Sequence, residues 1–244
     1  MDLQAEKIAY IFGLPITNSF LSGLIVSVFL VVIAYIFSRN VKLVPGKFQN
    51  FIEALIEFMY NTAKETVGDE AKARKFFPLV ATFFLFIIFS NWFGLLPFVG
   101  SIGFFDSFSG GAIHFTPLLR PFNTDLNATL ALGIISAVAT QYFAIKYLGI
   151  LKHLNHYFSL NPLKLFVGIL ELVGEVTKVV SLSLRLYGNI IAGDSVISTF
   201  TALAGPIAAL PFMGLEVIVG FVQAAVFSML TLAFMSVLTQ HEEV

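Results

Sequence analysis

The chain contains no cysteine, which excludes disulfides, thiolate catalysis and thiolate-based metal sites. It is also poor in charge. Only 12% of its 244 residues are Asp, Glu, Lys or Arg, against roughly 25% in a soluble domain. No basic block is present and the net charge is −1, so nothing suggests nucleic acid as a partner. No internal repeat or low-complexity linker interrupts it, which predicts a single domain over 1–244. The first residues are mixed polar, and no small-residue cleavage site follows the first apolar run, so the N-terminus does not read as a secretory signal. The four histidines, His114, His153, His156 and His241, are scattered. Only His153 and His156 share a helical spacing, and a solvated loop pair explains them better than a metal site. No metal and no cofactor is expected.

What the chain has in abundance is apolar sequence, 57% of all residues. A surface this apolar cannot stay wet, so the solvent must be largely lipid. A spanning helix needs about 20 apolar residues. Ile8 to Ser38 is free of charge, with a first span at Phe20–Phe37. Within the polar interval from Arg39 to Lys75, residues 48–59 place apolar side chains at helical spacing, the pattern of an amphipathic helix lying in the interface. Further spans are predicted from Phe76 to near Pro97, over Leu126–Ile145, and in two long final segments, 165–203 and 207–240, divided by Gly205-Pro206. The expected fold is an all-α integral membrane protein with five membrane-embedded helices and one interfacial amphipathic helix, the last two spans forming a long tilted hairpin. At about 1.5 Å per residue the fifth segment reaches about 58 Å, nearly twice the ~30 Å hydrocarbon layer, so it must tilt, kink or lie partly in plane.

Lysine and arginine set the orientation. The 39–75 interval and the 146–164 turn hold ten of them, whereas the N-terminal tail and the 98–125 loop hold two, Lys7 and Arg120. This bias puts the N-terminus outside and the C-terminus in the cytoplasm, as an odd number of spans requires.

The chemistry concentrates at the end of the chain. Ionisable groups inside a span cost about 2.5–3.5 kcal/mol each on insertion scales, which makes them functional candidates. Glu171, Glu175, Lys178 and Arg185 follow one helical face, while Asp194 points about half a turn away. The last segment carries Glu216 and Gln223. In an antiparallel hairpin turning at Ala204–Gly205, positions equidistant from the turn face each other. Arg185 then neighbours Gln223 at one level, and Asp194 neighbours Glu216 at another, roughly 13 Å further along. Acidic pairs exchange protons, so Asp194 with Glu216 and Glu171 with Glu175 suit two separate aqueous half-paths. Arg185, between them, stays charged and cannot relay a proton. It blocks a direct leak and attracts a carboxylate from a moving partner. Lys178 reads best as the partner of Glu171 or Glu175. Asp125 either caps the fourth span or belongs to the outer path.

At this point a family appears. Ser181-Leu-Ser-Leu-Arg185-Leu-Tyr-Gly188-Asn189-Ile-Ile-Ala-Gly193-Asp194 resembles the signature of the F-type ATP synthase subunit a family, the stator channel subunit of the F0 sector. Asn91-Trp-Phe-Gly94-Leu-Leu-Pro97, Pro121-Phe-Asn-Thr-Asp125-Leu-Asn127-Ala-Thr129-Leu and the pair Glu216, Gln223 resemble its third, fourth and last helices. The resemblance covers about residues 45–238 and implies ion translocation, most readily of protons, coupled to rotation of a c-ring and to ATP synthesis. It implies Arg185 as the stator arginine facing the ring carboxylate, with Gln223 beside it. Asn189, Asp194 and Glu216, with Asp125 and Asn127 as further candidates, would line the outer half-channel. Glu171, Glu175 and Ser181 would line the inner one. The family often carries glutamate where Asp194 stands. The implied partners are the c-ring, the peripheral-stalk subunit b and lipid, in a bacterial plasma (inner) membrane, with no catalysis by the chain alone. The competing reading is a self-contained ion-coupled transporter. Such folds show paired repeats with broken helices in both halves, whereas here the intramembrane charges all fall in the last third.

Overall fold

Helix α1, Asn18–Arg39, starts where the Thr17 side chain accepts a hydrogen bond from the Phe20 N–H at 3.3 Å, an N-cap. Its polarity is reversed relative to a soluble helix. Asn18, Ser19, Ser22 and Gly23 are buried, while Phe20, Leu24, Val28 and Val31 face outward. Without a hydrophobic drive between helices, small and polar residues make the contacts and apolar ones meet lipid. The computed structural model describes residues 7–11, 14–42, 44–106, 114–157 and 162–240. Across them follow α2 (Lys47–Val67), α3 (Glu70–Gly94), α4 (Leu126–Leu148), α5 (Ile150–Tyr157), α6 (Pro162–Ala204) and α7 (Pro206–Gln240). Four helices, α1, α3, α4 and α7, are long and apolar enough to cross a membrane. α6 is not among them, although its 43 residues extend about 64 Å at helical rise.

The helix predicted at 48–59 runs on to Val67, where Gly68 takes a φ of 72° and its N–H closes on Lys64 O. That left-handed residue is the usual glycine stop. The polar turn at 146–164 is not a plain loop. Gly149, at φ 85°, breaks α4 from the short helix α5. Two antiparallel ribbons stand outside the predicted helices: β1 (Lys7–Ile11) with β2 (Leu14–Thr17), ahead of the first span, and β3 (Gly103–Asp106) with β4 (His114–Pro117), in the 98–125 loop.

The chain divides into two compact units. The first comprises the chain up to Asn40, Phe84–Thr129 and Arg185–Ala224. In it a 3-10 turn, Phe122–Thr124, lies against α1. The Phe122 ring occupies the space a side chain at Gly23 would need, and Ser19 Oγ donates to Asp125 Oδ2 at 2.9 Å. The second unit comprises Val41–Phe83, Leu130–Leu184 and the chain from Ala225 onward. Its core is Ala63, Val67, Ala73, Phe76, Val80, Leu232 and Met235, with Phe143 and Tyr147 packed against it. Ser136 and Thr231 share a buried hydrogen bond at 2.8 Å. Gly133 lets α4 approach α6 closely, since a Cβ there would lie 3.1 Å from Val179 O.

Candidate ion-translocation site

The final hairpin turns where its sequence dictates. Gly205 takes a φ of 84° after the last residue of α6, and Pro206 opens α7 as a first-turn proline that has no N–H to satisfy. This fixes the register of the first unit's share of α6 and α7. Gln223, only 4% exposed, accepts a hydrogen bond from Asn189 Nδ2 at 2.8 Å through Oε1. Its Nε2 has no partner among the described residues. Glu216, 7% exposed, packs its carboxyl over Gly193, where a Cβ would lie 2.7 Å from Oε1. Its Oε2 is likewise unpartnered. Asp194, half-buried, is close enough for its charge to act on Glu216 and to feel Arg120. Asp194 and Glu216 thus come together, and Gln223 joins Asn189, one turn along from Arg185.

Arg185 itself is exposed and makes no hydrogen bond or ion pair among the described residues. A guanidinium with five donors left open on a helix surface is the feature that most needs explaining.

Asp125 uses both oxygens. Oδ1 accepts from the Asn127 N–H at 2.9 Å, closing the first turn of α4, and Oδ2 accepts from Ser19. Asn127 is exposed. Side chains that the sequence pattern does not single out tie this unit together. Asn91 Nδ2 donates to Gly220 O at 3.2 Å, Asn91 Oδ1 accepts from Asn123 Nδ2 at 2.6 Å, and Trp92 Nε1 donates to Val217 O at 3.2 Å. Their signal was present, because an asparagine in an apolar span demands a polar partner. Which partner it finds cannot be read from spacing.

Glu171 and Glu175 belong to the second unit. Glu175 pairs with Lys178 Nζ at 2.7 Å, and the Lys178 ammonium lies 4.4 Å from the centre of the Phe234 ring. The pair lines a small cleft with Gly133, Ser136 and Thr140. Glu171 is half-buried and acts electrostatically on Tyr157. Burial pushes the Tyr157 hydroxyl up, and the hydrogen bond from Gln141 opposes it. His153 is not a solvated loop residue. It is buried on α5, with Nε2 2.7 Å from Gln141 Oε1 and its ring edge-on to Tyr157. Gln141 Oε1 can only accept, so Nε2 carries the proton. The His156 side chain and His241 lie outside the described residues.

These features define a class: a multi-pass helical membrane protein whose last two helices carry ionisable side chains between apolar stretches. The comparisons then name the family. The profile described as ATP synthase A chain matches residues 19–236. The chain is 35% identical over 209 residues to ATP synthase subunit a of Geotalea daltonii, covering 84% of this chain and 80% of that one. It is 33% identical over 222 residues to ATP synthase subunit a of Campylobacter jejuni subsp. jejuni, covering 90% and 88%. With that protein of Desulforamulus reducens it shares 34% identity over 213 residues, covering 84% and 72%. The chain belongs to the ATP synthase subunit a family, the proton-translocating subunit of F0, and works within the F0 complex. A self-contained transporter is not favoured.

Proposed function

We propose that this chain supplies the two offset half-channels and the stator arginine that couple proton flow to rotation of a c-ring. The observation that carries the reading is Arg185, exposed and unpaired while Glu175 already has Lys178. An arginine needed only to balance a neighbouring carboxylate would be paired with one. An open guanidinium on a membrane helix suits a carboxylate that arrives from outside the chain and leaves again. Because it never deprotonates, it separates the two half-paths electrostatically. Asp194, Glu216, Asn189 and Gln223 line the outer path, with Asp125 and Asn127 at its mouth. The buried unpartnered atoms Glu216 Oε2 and Gln223 Nε2 support this, since buried polar atoms without a protein partner call for water. Glu171 and Glu175 line the inner path.

α6 lies tilted in the bilayer as the fifth embedded helix, because its length exceeds the hydrocarbon layer about twofold. The peripheral-stalk subunit b holds the chain against the turning ring. The N-terminus faces outward and the C-terminus the cytoplasm of a bacterium, following the ten-to-two bias of basic residues. The chain carries no catalysis of its own. Its energy comes from the membrane potential, about 2.3 kcal/mol per charge per 100 mV.

The test is Arg185→Ala in reconstituted F0F1, following ATP-driven proton pumping and passive proton flux. Coupled transport is expected to vanish while insertion and assembly persist. Normal pumping would show that the exposed arginine is only a packing detail.

A further inference from the structure

We propose that Lys72, Lys75 and Tyr147 form a binding site for the phosphate headgroup of an anionic phospholipid. The two ammonium groups converge on one ring: Lys72 Nζ is 5.6 Å and Lys75 Nζ 5.3 Å from the Tyr147 centroid. The ring cannot swing away, because it packs edge-on against the fully buried Phe76. Lys72 Nζ spends one of its three donors on Thr239 O at 3.1 Å, which fixes its position. Lys75 makes no hydrogen bond or ion pair among the described residues.

Two like charges gathered around one aromatic ring repel each other, and an anion close to both relieves the repulsion. The nearest acidic residues along the chain are engaged elsewhere. Asp69 caps α3 through the Ala71 N–H at 2.8 Å, and Glu70 pairs with Lys64 at 2.6 Å.

Depth identifies the anion. Lys72 and Lys75 lie just before the apolar run of α3, Tyr147 in the last turn of α4 and Thr239 in the last turn of α7. Three apolar helices therefore end together here, at the level where a bilayer carries its phosphates. Exposed Arg74 and Lys146 add positive charge at the same level. Basic pockets between helix ends on this side of a membrane take lipid headgroups.

The experiment uses the intact F0F1 complex in nanodiscs of phosphatidylcholine containing a minor fraction of phosphatidylglycerol, with retained lipid read by native mass spectrometry. The wild-type complex is expected to retain phosphatidylglycerol in preference to phosphatidylcholine. Lys75→Gln, at an exposed position with no hydrogen bond to lose, should lower occupancy about fivefold, the contribution of one basic residue near a charged surface. Lys72→Gln/Lys75→Gln should abolish it. Inorganic phosphate should fail to displace the lipid. Equal retention by the assembled Lys75→Gln variant, absence of retained phosphatidylglycerol in the wild type, or displacement by phosphate would each overturn the proposal.

Discussion

Replacing Gln223 by methionine separates what this side chain does for folding from what it does for transport. Gln223 is 4% exposed. Its Oε1 holds Asn189 Nδ2 at 2.8 Å, and its Nε2 is buried without a partner. Methionine keeps the unbranched length and fills the space. The loss is one interhelical hydrogen bond, about 0.6 kcal/mol in a membrane protein. Asn189 is exposed, so its freed amide is re-solvated rather than stranded. Nε2, which finds water rather than a protein partner in the outer path, gives that water up at a cost that is small on the same scale. Gln223→Met should therefore change stability by less than about 1 kcal/mol. Detergent-titration unfolding of the purified subunit measures that number, and ATP-driven proton pumping by the assembled enzyme measures function. The expected outcome is a fold as stable as before with pumping strongly reduced. A drop in stability of more than about 1 kcal/mol with pumping intact would refute the reasoning, because glutamine would then be there for the fold.

Other outcomes follow from the same geometry. Gly168→Ala should destabilise by about 1–3 kcal/mol, because its Cβ would fall 2.9 Å from Tyr157 Cα, backbone that cannot yield. Gly174→Ala, with nothing within 4 Å, should be neutral or gain up to about 1 kcal/mol of helix propensity; thermal melts of the solubilised subunit compare the two. Asn91→Leu should cost about 1–3 kcal/mol, since it strands the buried Asn123 amide and frees Gly220 O, whereas Trp92→Phe, at an exposed indole, should cost less than about 1 kcal/mol. A double-mutant cycle on Ser136→Ala and Thr231→Val should return a coupling near 0.6 kcal/mol; a coupling of zero would mean that the 2.8 Å contact adds nothing.

The long helices were legible because lipid makes their signal coarse. An uncharged run long enough to cross is visible without any knowledge of neighbours, and the 204–206 turn announces itself by glycine followed by proline. Equal spacing from that turn also put Glu216 level with Asp194, and its carboxyl packs over the adjacent Gly193; the same spacing put Gln223 level with Arg185, whereas Gln223 bonds Asn189, one turn along. The boundaries of α2 and the existence of α5 were hidden. Ile150, Leu151, Leu154 and Tyr157 do stand at helical spacing, but eight residues are too few for that spacing to stand out, and His153 looked solvated because its partner, Gln141, comes from another helix. The β1–β2 and β3–β4 ribbons escaped for a related reason: their pairing is backbone to backbone and leaves no mark on composition. Asn91 and Asn123 stood inside the family motifs with no role of their own, and spacing could not say that they would bond each other.

The inverted face of α1 also has a consequence in time. Ser19 waits for Asp125, 106 residues downstream, and Asn18 for the Pro117 carbonyl, 99 residues downstream. At a synthesis rate of about 5–20 residues per second, that interval is about 5–20 s. A helix with mean hydropathy of 2.7 is ready to enter the bilayer at once, so for those seconds its serines and asparagine must be shielded by the insertion machinery or held near the wet edge of the membrane. The first helix is complete only once the 117–125 segment has arrived, and a ribosome stalled before it leaves a first helix that is inserted but not yet at home.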